Sequence, residues 1–329
     1  MNNRTIHCVS IIIPTHNRAE LLRQTLESLT QLVILPDQNV ELLIIANTCS
    51  DQTGKICEAA ALNMSMPLRC VIEPMLGASH ARNRGLAEAN GDILVFLDDD
   101  VAVAPDWLAG LLDVFEQYPA DVVAGKVTLW WEMVKKPAWL THRSEQLLSS
   151  LDYGDQVREL FNGGDAISAN LAFRRSMLAD VPMFRTDLDR QGRTVLAGGD
   201  TYFISQSLKN GHRLFYAPRA AIRHWVAPER LTLSYLSRAA YANGLARIQM
   251  IDDLFPAMRL KLLVENALKY VFYGVVETLA AVIGYQKGRI NHRIRRMMCQ
   301  GVLVGLHQRR TVRSTSNAAC TYMNFDGGP

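Results

Sequence analysis

Ile93-Leu94-Val95-Phe96-Leu97-Asp98-Asp99-Asp100 decides how this chain reads: five apolar residues end abruptly in three adjacent carboxylates. The turn signal Asn90-Gly91-Asp92 precedes them, and a run so short, apolar and bounded predicts a buried parallel strand. Adjacent like charges repel and are costly to desolvate, so the end of a buried strand suits them poorly unless a cation offsets their charge. A hard, oxygen-seeking ion such as Mg²⁺ or Mn²⁺ fits, because it takes one or two protein carboxylates and fills its other positions with water and phosphate oxygens. A solvated turn is the plainer reading of a bare Asp triplet. Its place at a strand's carboxyl end, where ligands of open α/β sheets gather, favours the metal.

The same alternation extends outward. Residues 8–13 predict a strand stopped by Pro14, and 18–31 a helix on Leu21, Leu22, Leu26 and Leu29. Strands over 40–46 and 68–72 and helices over 52–63 and 77–90 complete a βαβαβαβ order. The expected class is therefore α/β, with a doubly wound, mainly parallel sheet and right-handed crossovers. Beyond the triplet come a helix from Pro105-Asp106-Trp107 to about Gln117 and a strand over 121–127. An irregular stretch, 128–165, holds Trp130, Trp131 and Trp139, and a connection of that length is usually functional. A strand over 166–175, a Gly- and Arg-rich stretch over 186–199, a helix from Asp200 and two short strands, 213–216 and 220–224, follow.

The 329 residues, 49% hydrophobic and 20% charged, suffice for one large α/β domain with an appendage. The six cysteines show no paired spacing, which predicts reduced thiols in the cytosol and not a disulfide framework. The first apolar run is too short for a signal peptide. Charge is unevenly spread: between Thr278 and Phe325 there is no Asp or Glu and eight Lys or Arg, so of the net +3 the remainder contributes −5. A basic tail of this kind suits an anionic surface, phospholipid or nucleic acid.

Residues 231–245 and 257–284 predict helices, and in the second Lys261, Glu265, Lys269, Tyr273 and Glu277 form one polar stripe. No stretch reaches the roughly 18 uncharged apolar residues of a membrane span. Two placements stay open: packing on the sheet domain, or lying in an anionic membrane surface beside the basic tail. Ser, Thr, Asn and Gly dominate from 311 and predict a disordered tail. The expected division is thus a sheet domain over 1–228, a C-terminal helical extension over 229–310 and a tail over 311–329.

Four segments in order, Val9-Ser10-Ile11-Ile12-Ile13-Pro14-Thr15-His16-Asn17-Arg18, Gly77 through Ala81-Arg82-Asn83-Arg84-Gly85-Leu86, Gly91-Asp92 with Phe96 to Asp100, and Gly198-Gly199-Asp200, resemble family 2 glycosyltransferases of the GT-A fold. The likeness runs from residue 8 to about 245. It implies an inverting transferase that uses a nucleotide-diphosphate sugar and a divalent metal, commonly in the biosynthesis of bacterial surface polysaccharide. By that resemblance Asp98 faces the ribose or the metal, Asp100 ligates the metal, and Asp99 belongs to the nucleotide site, although alternation turns it the other way. Asp200 resembles the catalytic base; the Glu that usually precedes it is Gly199 here, and an N-cap role is the structural alternative. Pro14, Thr15, Asn17 and Arg18 are expected to meet the nucleotide. Ala46 replaces an Asp that contacts the base in relatives, leaving Asn47 as substitute hydrogen-bonding partner. Arg82 and Asn83 are expected at the diphosphate, His224 at the metal or diphosphate, and Asn170, Trp130 and Trp131 on the acceptor side, with aromatic packing the alternative for the tryptophans.

The implied partners are a nucleotide-diphosphate sugar donor and a glycan or lipid-linked acceptor, in the cytoplasm or peripherally on the inner face of the membrane. Three rival readings fit the residues less well. Phosphatase chemistry on Asp98 wants Thr or Val where Ala102 stands. A degenerate nucleotide-sugar-binding or membrane scaffold would explain Ala46 and Gly199 but not the retained Asp98, Asp100 and Asp200. Nucleic-acid binding lacks an aromatic-interleaved basic groove.

Overall fold

The computed structural model describes residues 8–36, 38–188, 198–251 and 254–321, side chains of 165 and 310–321 excepted. It divides into two compact units, one of residues up to 136, 145–188 and 199–228, the other of 137–144, 198 and the helices from 229 onward.

The first unit is built on a nine-stranded sheet. In chain order its strands are β1 (Cys8–Thr15), β2 (Asn39–Asn47), β3 (Leu68–Glu73), β4 (Ile93–Leu97), β5 (Val101–Val103), β6 (Val122–Leu129), β7 (Arg158–Leu160), β8 (Asn170–Arg174) and β9 (Leu214–His224). They lie in the order β3-β2-β1-β4-β8-β6-β9-β5, with β7 also on β9. The first four are parallel, β8 runs antiparallel between β4 and β6, and β5 and β7 run antiparallel to β9. Helices α1 (Ala19–Leu29), α2 (Thr53–Ala61), α3 (Ala78–Glu88), α4 (Trp107–Gln117) and α6 (Gly199–Lys209) connect them; the single turn α5 (His142–Glu145) falls almost wholly in the other unit. Val9, Ile11 to Ile13, Leu42 to Ile45 and Ile93 to Leu97 are all buried, as expected of parallel strands covered on both faces.

Several local expectations change. Strand β1 runs past Pro14 to Thr15, because its pairing with β4 covers only Val9 to Ile12 and the proline, lacking an N–H, sits where β2 is its sole neighbour. The two short strands expected over 213–224 are one strand, β9, with an irregularity between Gly125 and Val127 of β6 absorbing the break. The stretch 128–165 contributes β7, and Val101–Val103 forms β5, three residues being too few to show a period.

The second unit is helical: α7 (Leu233–Gln249), α8 (Pro256–Val282) and α9 (Gln286–Thr321). Ile248, Val302 and Leu306 form its buried centre. No helix among the described residues is long and apolar enough to cross a membrane. The described backbone of α9 runs to Thr321, into the stretch expected to be disordered from 311. Residues 322–329 of that tail, and 189–197 of the Gly- and Arg-rich stretch, lie outside the described residues.

Candidate active site

The order β2-β1-β4 reverses direction at β1, so the crevice beyond the carboxyl ends of β1 and β4 is the switch point where open α/β sheets bind ligands. Register then brings the chemistry together. Ile12 lies opposite Phe96, and three residues further along each strand Thr15 meets Asp99, its Oγ1 donating to Oδ2 at 2.7 Å. Arg18 closes the same corner: Nη1 donates to Asp99 Oδ1 and to Asp100 Oδ2, both at 3.0 Å. Thr25 of α1 clamps the backbone, its hydroxyl donating to the Asp99 carbonyl at 2.9 Å and accepting from Val101 N–H at 3.0 Å.

Strand β5 begins directly after the triplet, and its first residue, Val101, pairs with His224, the last residue of β9. This register places His224 Nε2 3.3 Å from Asp100 Oδ1 and 3.7 Å from Asp98 Oδ2. The Trp225 N–H donates to the Asp100 carbonyl at 2.8 Å and the Trp130 N–H to the His224 carbonyl at 2.9 Å, so both sides of the cluster are tied to backbone. Asp98, Asp100 and His224 each offer a ligand atom within 4.8 Å of the others. Asp100 and His224 are buried, whereas the Asp98 side chain is 32% exposed and forms the open side.

The carboxylates differ electrostatically. Burial works against ionisation of Asp98, but the His224 hydrogen bond and the charges of His224, Arg82 and Arg18 outweigh it and hold this carboxyl below the usual range. Asp99 is pushed up to about 6 by burial and by the charge of Asp100, with Arg18 and Thr15 resisting the rise. Burial also disfavours the Arg18 charge, yet Asp99 and Asp100 leave it raised. Asp99 thus points into the protein, towards Thr15 and α1, and away from the open side expected of a nucleotide contact.

A second strand pairing brings Asp200 in. Strand β8 pairs Asn170 with Leu97, which sets Ser168 beside the triplet. The N–H and hydroxyl of Ser168 donate to Asp200 Oδ2 at 3.2 and 3.1 Å, and Arg82 Nη2 donates to the Ser168 hydroxyl at 2.7 Å. Asp200 lies within the first turn of α6 and not at its N-cap. Gly199 is buried beside it. Ser168 and Thr25 are site residues that sequence reasoning missed. Both are hydroxyls spaced far from the acidic triplet, and only strand pairing makes them neighbours.

Other expected site residues serve the framework. The Asn47 side chain is buried and spent: Nδ2 donates to the carbonyls of Glu73 and Met75 at 3.2 and 2.7 Å, and Oδ1 accepts from Gly77 N–H at 2.8 Å. It fastens the loop into α3 and has no donor left for a base. Asn83 exchanges both amide bonds with the Phe184 backbone at 2.9 Å, which directs it to the 181–188 segment and not to a diphosphate. Asn170 is fully buried, accepting from Trp107 Nε1 at 2.9 Å and donating to the carbonyls of Lys126 and Ala220, so no amide group is left for an acceptor. Thr15 is equally committed, to Asp99, and Pro14 is half-buried within β1.

Asn17 and Thr48 both hold the left-handed region, φ 51° and 49°, at the ends of β1 and β2. Asn17 tolerates this and receives the Ser50 N–H at 2.7 Å. For β-branched Thr48 it is strained, a feature that clusters at functional crevices. Trp130 stacks under Arg223, 4.8 Å from its ring centre, and Lys136 lies 5.5 Å from that of Trp131, so both rings have cationic partners within the unit.

The family model for glycosyl transferase family 2 matches residues 10–181, over half of the chain. The glucosyl-dolichyl phosphate glucuronosyltransferase of Haloferax volcanii is 25% identical over 254 residues, 75% of this chain and 78% of that protein. The succinoglycan biosynthesis protein ExoM of Rhizobium meliloti is 26% identical over 260 residues, 79% and 80% of the two chains. Among solved structures, the mannosyltransferase PcManGT of Pyrobaculum calidifontis, in complex with GDP-Man and Mn²⁺, superposes with a TM-score of 0.62 at 18% identity, covering 91% of this chain and 86% of its own. With the acidic triplet at the switch point of a sheet of this order, the chain belongs to glycosyl transferase family 2 and is a glycosyltransferase of the GT-A fold.

Proposed function

We propose that this enzyme is a metal-dependent, inverting glycosyltransferase that moves a sugar from a nucleotide-diphosphate sugar to a glycan or lipid-linked acceptor in polysaccharide biosynthesis. The observation that carries the reading is the convergence of Asp98, Asp100 and His224 at the switch point, with Asp200 held nearby through Ser168. The donor set fits a divalent cation: the two carboxylates suit Mg²⁺ or Mn²⁺, the imidazole favours Mn²⁺ of the two, and among the described residues Asp100 Oδ1 is buried without a hydrogen-bond partner. Asp98, Asp100 and His224 would hold the ion, which when bound neutralises the charge developing on the departing diphosphate. Relatives solved with GDP-Man and Mn²⁺ and with UDP support this donor class.

The remaining work belongs to the chain. Arg82, through Ser168, fixes the Asp200 carboxylate; among the described residues only Oδ2 is engaged, which leaves Oδ1 for an acceptor hydroxyl. As that oxygen attacks the anomeric carbon, Asp200 takes its proton and the bond to the diphosphate oxygen breaks on the opposite face, so configuration inverts in one displacement. Arg18 keeps Asp99 and Asp100 aligned. The free thiols Cys8, Cys49, Cys57, Cys70 and Cys299 support a reducing, cytoplasmic setting.

Calorimetry with UDP, GDP, CDP and dTDP, each with and without Mn²⁺, tests the reading. One nucleotide is expected to bind only with metal, and Asp100→Ala to abolish that binding. Failure of every nucleotide to bind folded wild-type protein would overturn it. Asp200→Asn is expected to bind the same nucleotide as tightly as wild type and to transfer no sugar.

A further inference from the structure

Helix α8 exposes an apolar face as long as the helix itself. Polar groups of α8 meet α9 at three points, where Arg259 Nη2 donates to the Leu306 carbonyl at 2.6 Å, Glu277 pairs with Arg296 at 3.0 Å, and Tyr273 lies 5.5 Å from the Arg295 guanidinium, while Lys261, Glu265 and Lys269 of the stripe stay exposed. On the other side Leu260, Val264, Leu268, Val271, Val275 and Leu279 recur at intervals of three or four residues, each between 49% and 68% exposed. Val282, Ile283 and Tyr285 extend the face at 80%, 75% and 58% exposure. A helix of 27 residues is roughly 40 Å long, and an apolar strip of that length is far more than a monomer ordinarily leaves to water.

Charge decides what covers it. The acids of α8 are already answered, Glu265 by Lys269 and Glu277 by Arg296. From Thr278 to Phe325 the sequence has none, while Lys287 and Arg289 are exposed where the apolar face ends. A second copy laid along the strip would set cations against cations with no free carboxylate on α8 or α9 to receive them, a pairing that costs free energy. Lipid phosphates carry the complementary sign.

We propose that the exposed face of α8, with Lys287 and Arg289 at its end, docks on an anionic phospholipid leaflet, the helix lying in the plane of the interface. The face belongs to the helical unit and the catalytic cluster to the sheet unit, and the one needs no residue of the other. It would hold the enzyme where lipid-linked molecules are presented.

Sedimentation of the full chain with vesicles tests this, using phosphatidylcholine alone and phosphatidylcholine with about 30% phosphatidylglycerol. Wild type is expected to sediment with the anionic vesicles, less as salt rises. The exposed triple substitution Val271→Ser, Val275→Ser, Leu279→Ser is expected to lower partitioning about tenfold or more. Lys287→Glu with Arg289→Glu is expected to abolish the preference for anionic lipid. Circular dichroism and Mn²⁺-dependent nucleotide binding of the triple variant establish that it is folded and separate this test from the catalytic one. The proposal is overturned if wild type stays in the supernatant with both vesicles, or if the triple variant sediments as well as wild type. A dimeric mass that the triple substitution halves, without vesicle binding, would instead assign the face to a second copy.

Discussion

Ser168 donates twice to one oxygen of Asp200, from its N–H at 3.2 Å and its hydroxyl at 3.1 Å. The same hydroxyl accepts from Arg82 at 2.7 Å, so a cation is linked to the proposed base through one small side chain. Ser168→Ala leaves the N–H bond and deletes the link. It is expected to lower kcat about tenfold, roughly 1.4 kcal/mol of transition-state stabilisation, while KM for the donor stays near wild type. Ser168→Thr, which keeps the hydroxyl, is expected to recover most of the loss. Steady-state kinetics of the three proteins decide it, and a KM effect equal to the kcat effect would point to donor binding instead.

Thr15 holds the middle carboxylate of the triplet. Its hydroxyl is 3% exposed at the residue level and bonds a carboxylate that is itself buried. Thr15→Val keeps the shape and removes the donor, so Asp99 loses one of the bonds that offset its burial. A cost of about 1–3 kcal/mol is expected, the range for stranding a buried polar group. Chemical denaturation measures it. Asp99→Asn in the same background is expected to recover part of the loss, because an amide is far cheaper to bury than an unsatisfied carboxylate.

Glu41 carries a pH dependence remote from the cluster. Its Oε1 accepts from the Ser10 hydroxyl at 2.6 Å and from the Asn90 N–H at 2.7 Å, and the Ser10 oxygen accepts from Gly91 N–H at 2.8 Å. This network seats the turn into β4 on the start of β1. Burial raises the Glu41 carboxyl, but Ser10, Asn90 and Arg69 outweigh it and hold it below the usual value of 4.5. A carboxyl depressed in the folded state contributes stability that is complete above its unfolded pKa and is lost as pH falls through the folded one. Glu41→Gln is therefore expected to cost about 1–2 kcal/mol at neutral pH. The gap to wild type should close as melts are taken below about pH 4, and a constant gap would rule the linkage out.

The parallel strands and the acidic triplet were legible because they announce themselves locally, as apolar runs of strand length that stop at a charge or a turn. Asp98, Asp100 and His224 were also named from the sequence, and the structure sets them within reach of one another. What brings His224 there was not legible. Strand β5 has three residues, and its pairing with β9 is a contact across more than a hundred positions. The partners of Asn47, Asn83 and Asn170 were not legible for a related reason. They were expected at the site from the family resemblance, yet each of these satisfies backbone or indole groups, and partners of that kind have no signature in the chain. The exposed face of α8 was hidden because a stripe pattern gives a helix two faces without saying which one is inside.

The helical unit closes on two glycines. A Cβ built on Gly244 of α7 would lie 2.1 Å from the Met298 carbonyl oxygen, and one on Gly301 of α9 would lie 1.9 Å from that of Tyr241. Both contacts are with backbone, so no rotamer change relieves them and the helix axes must separate. Gly301→Val is expected to destabilise this unit by about 3 kcal/mol or more, at the severe end of overpacking, with Gly301→Ala intermediate. Differential scanning calorimetry should show the loss. Every residue of the candidate site belongs to the other unit, so Mn²⁺-dependent nucleotide binding by Gly301→Ala is expected to match wild type below the transition. Vesicle binding should fall with the helical unit, because the apolar strip of α8 exists only while α9 holds its polar side. A Gly301→Val protein that melts like wild type would mean that α7 and α9 do not approach this closely.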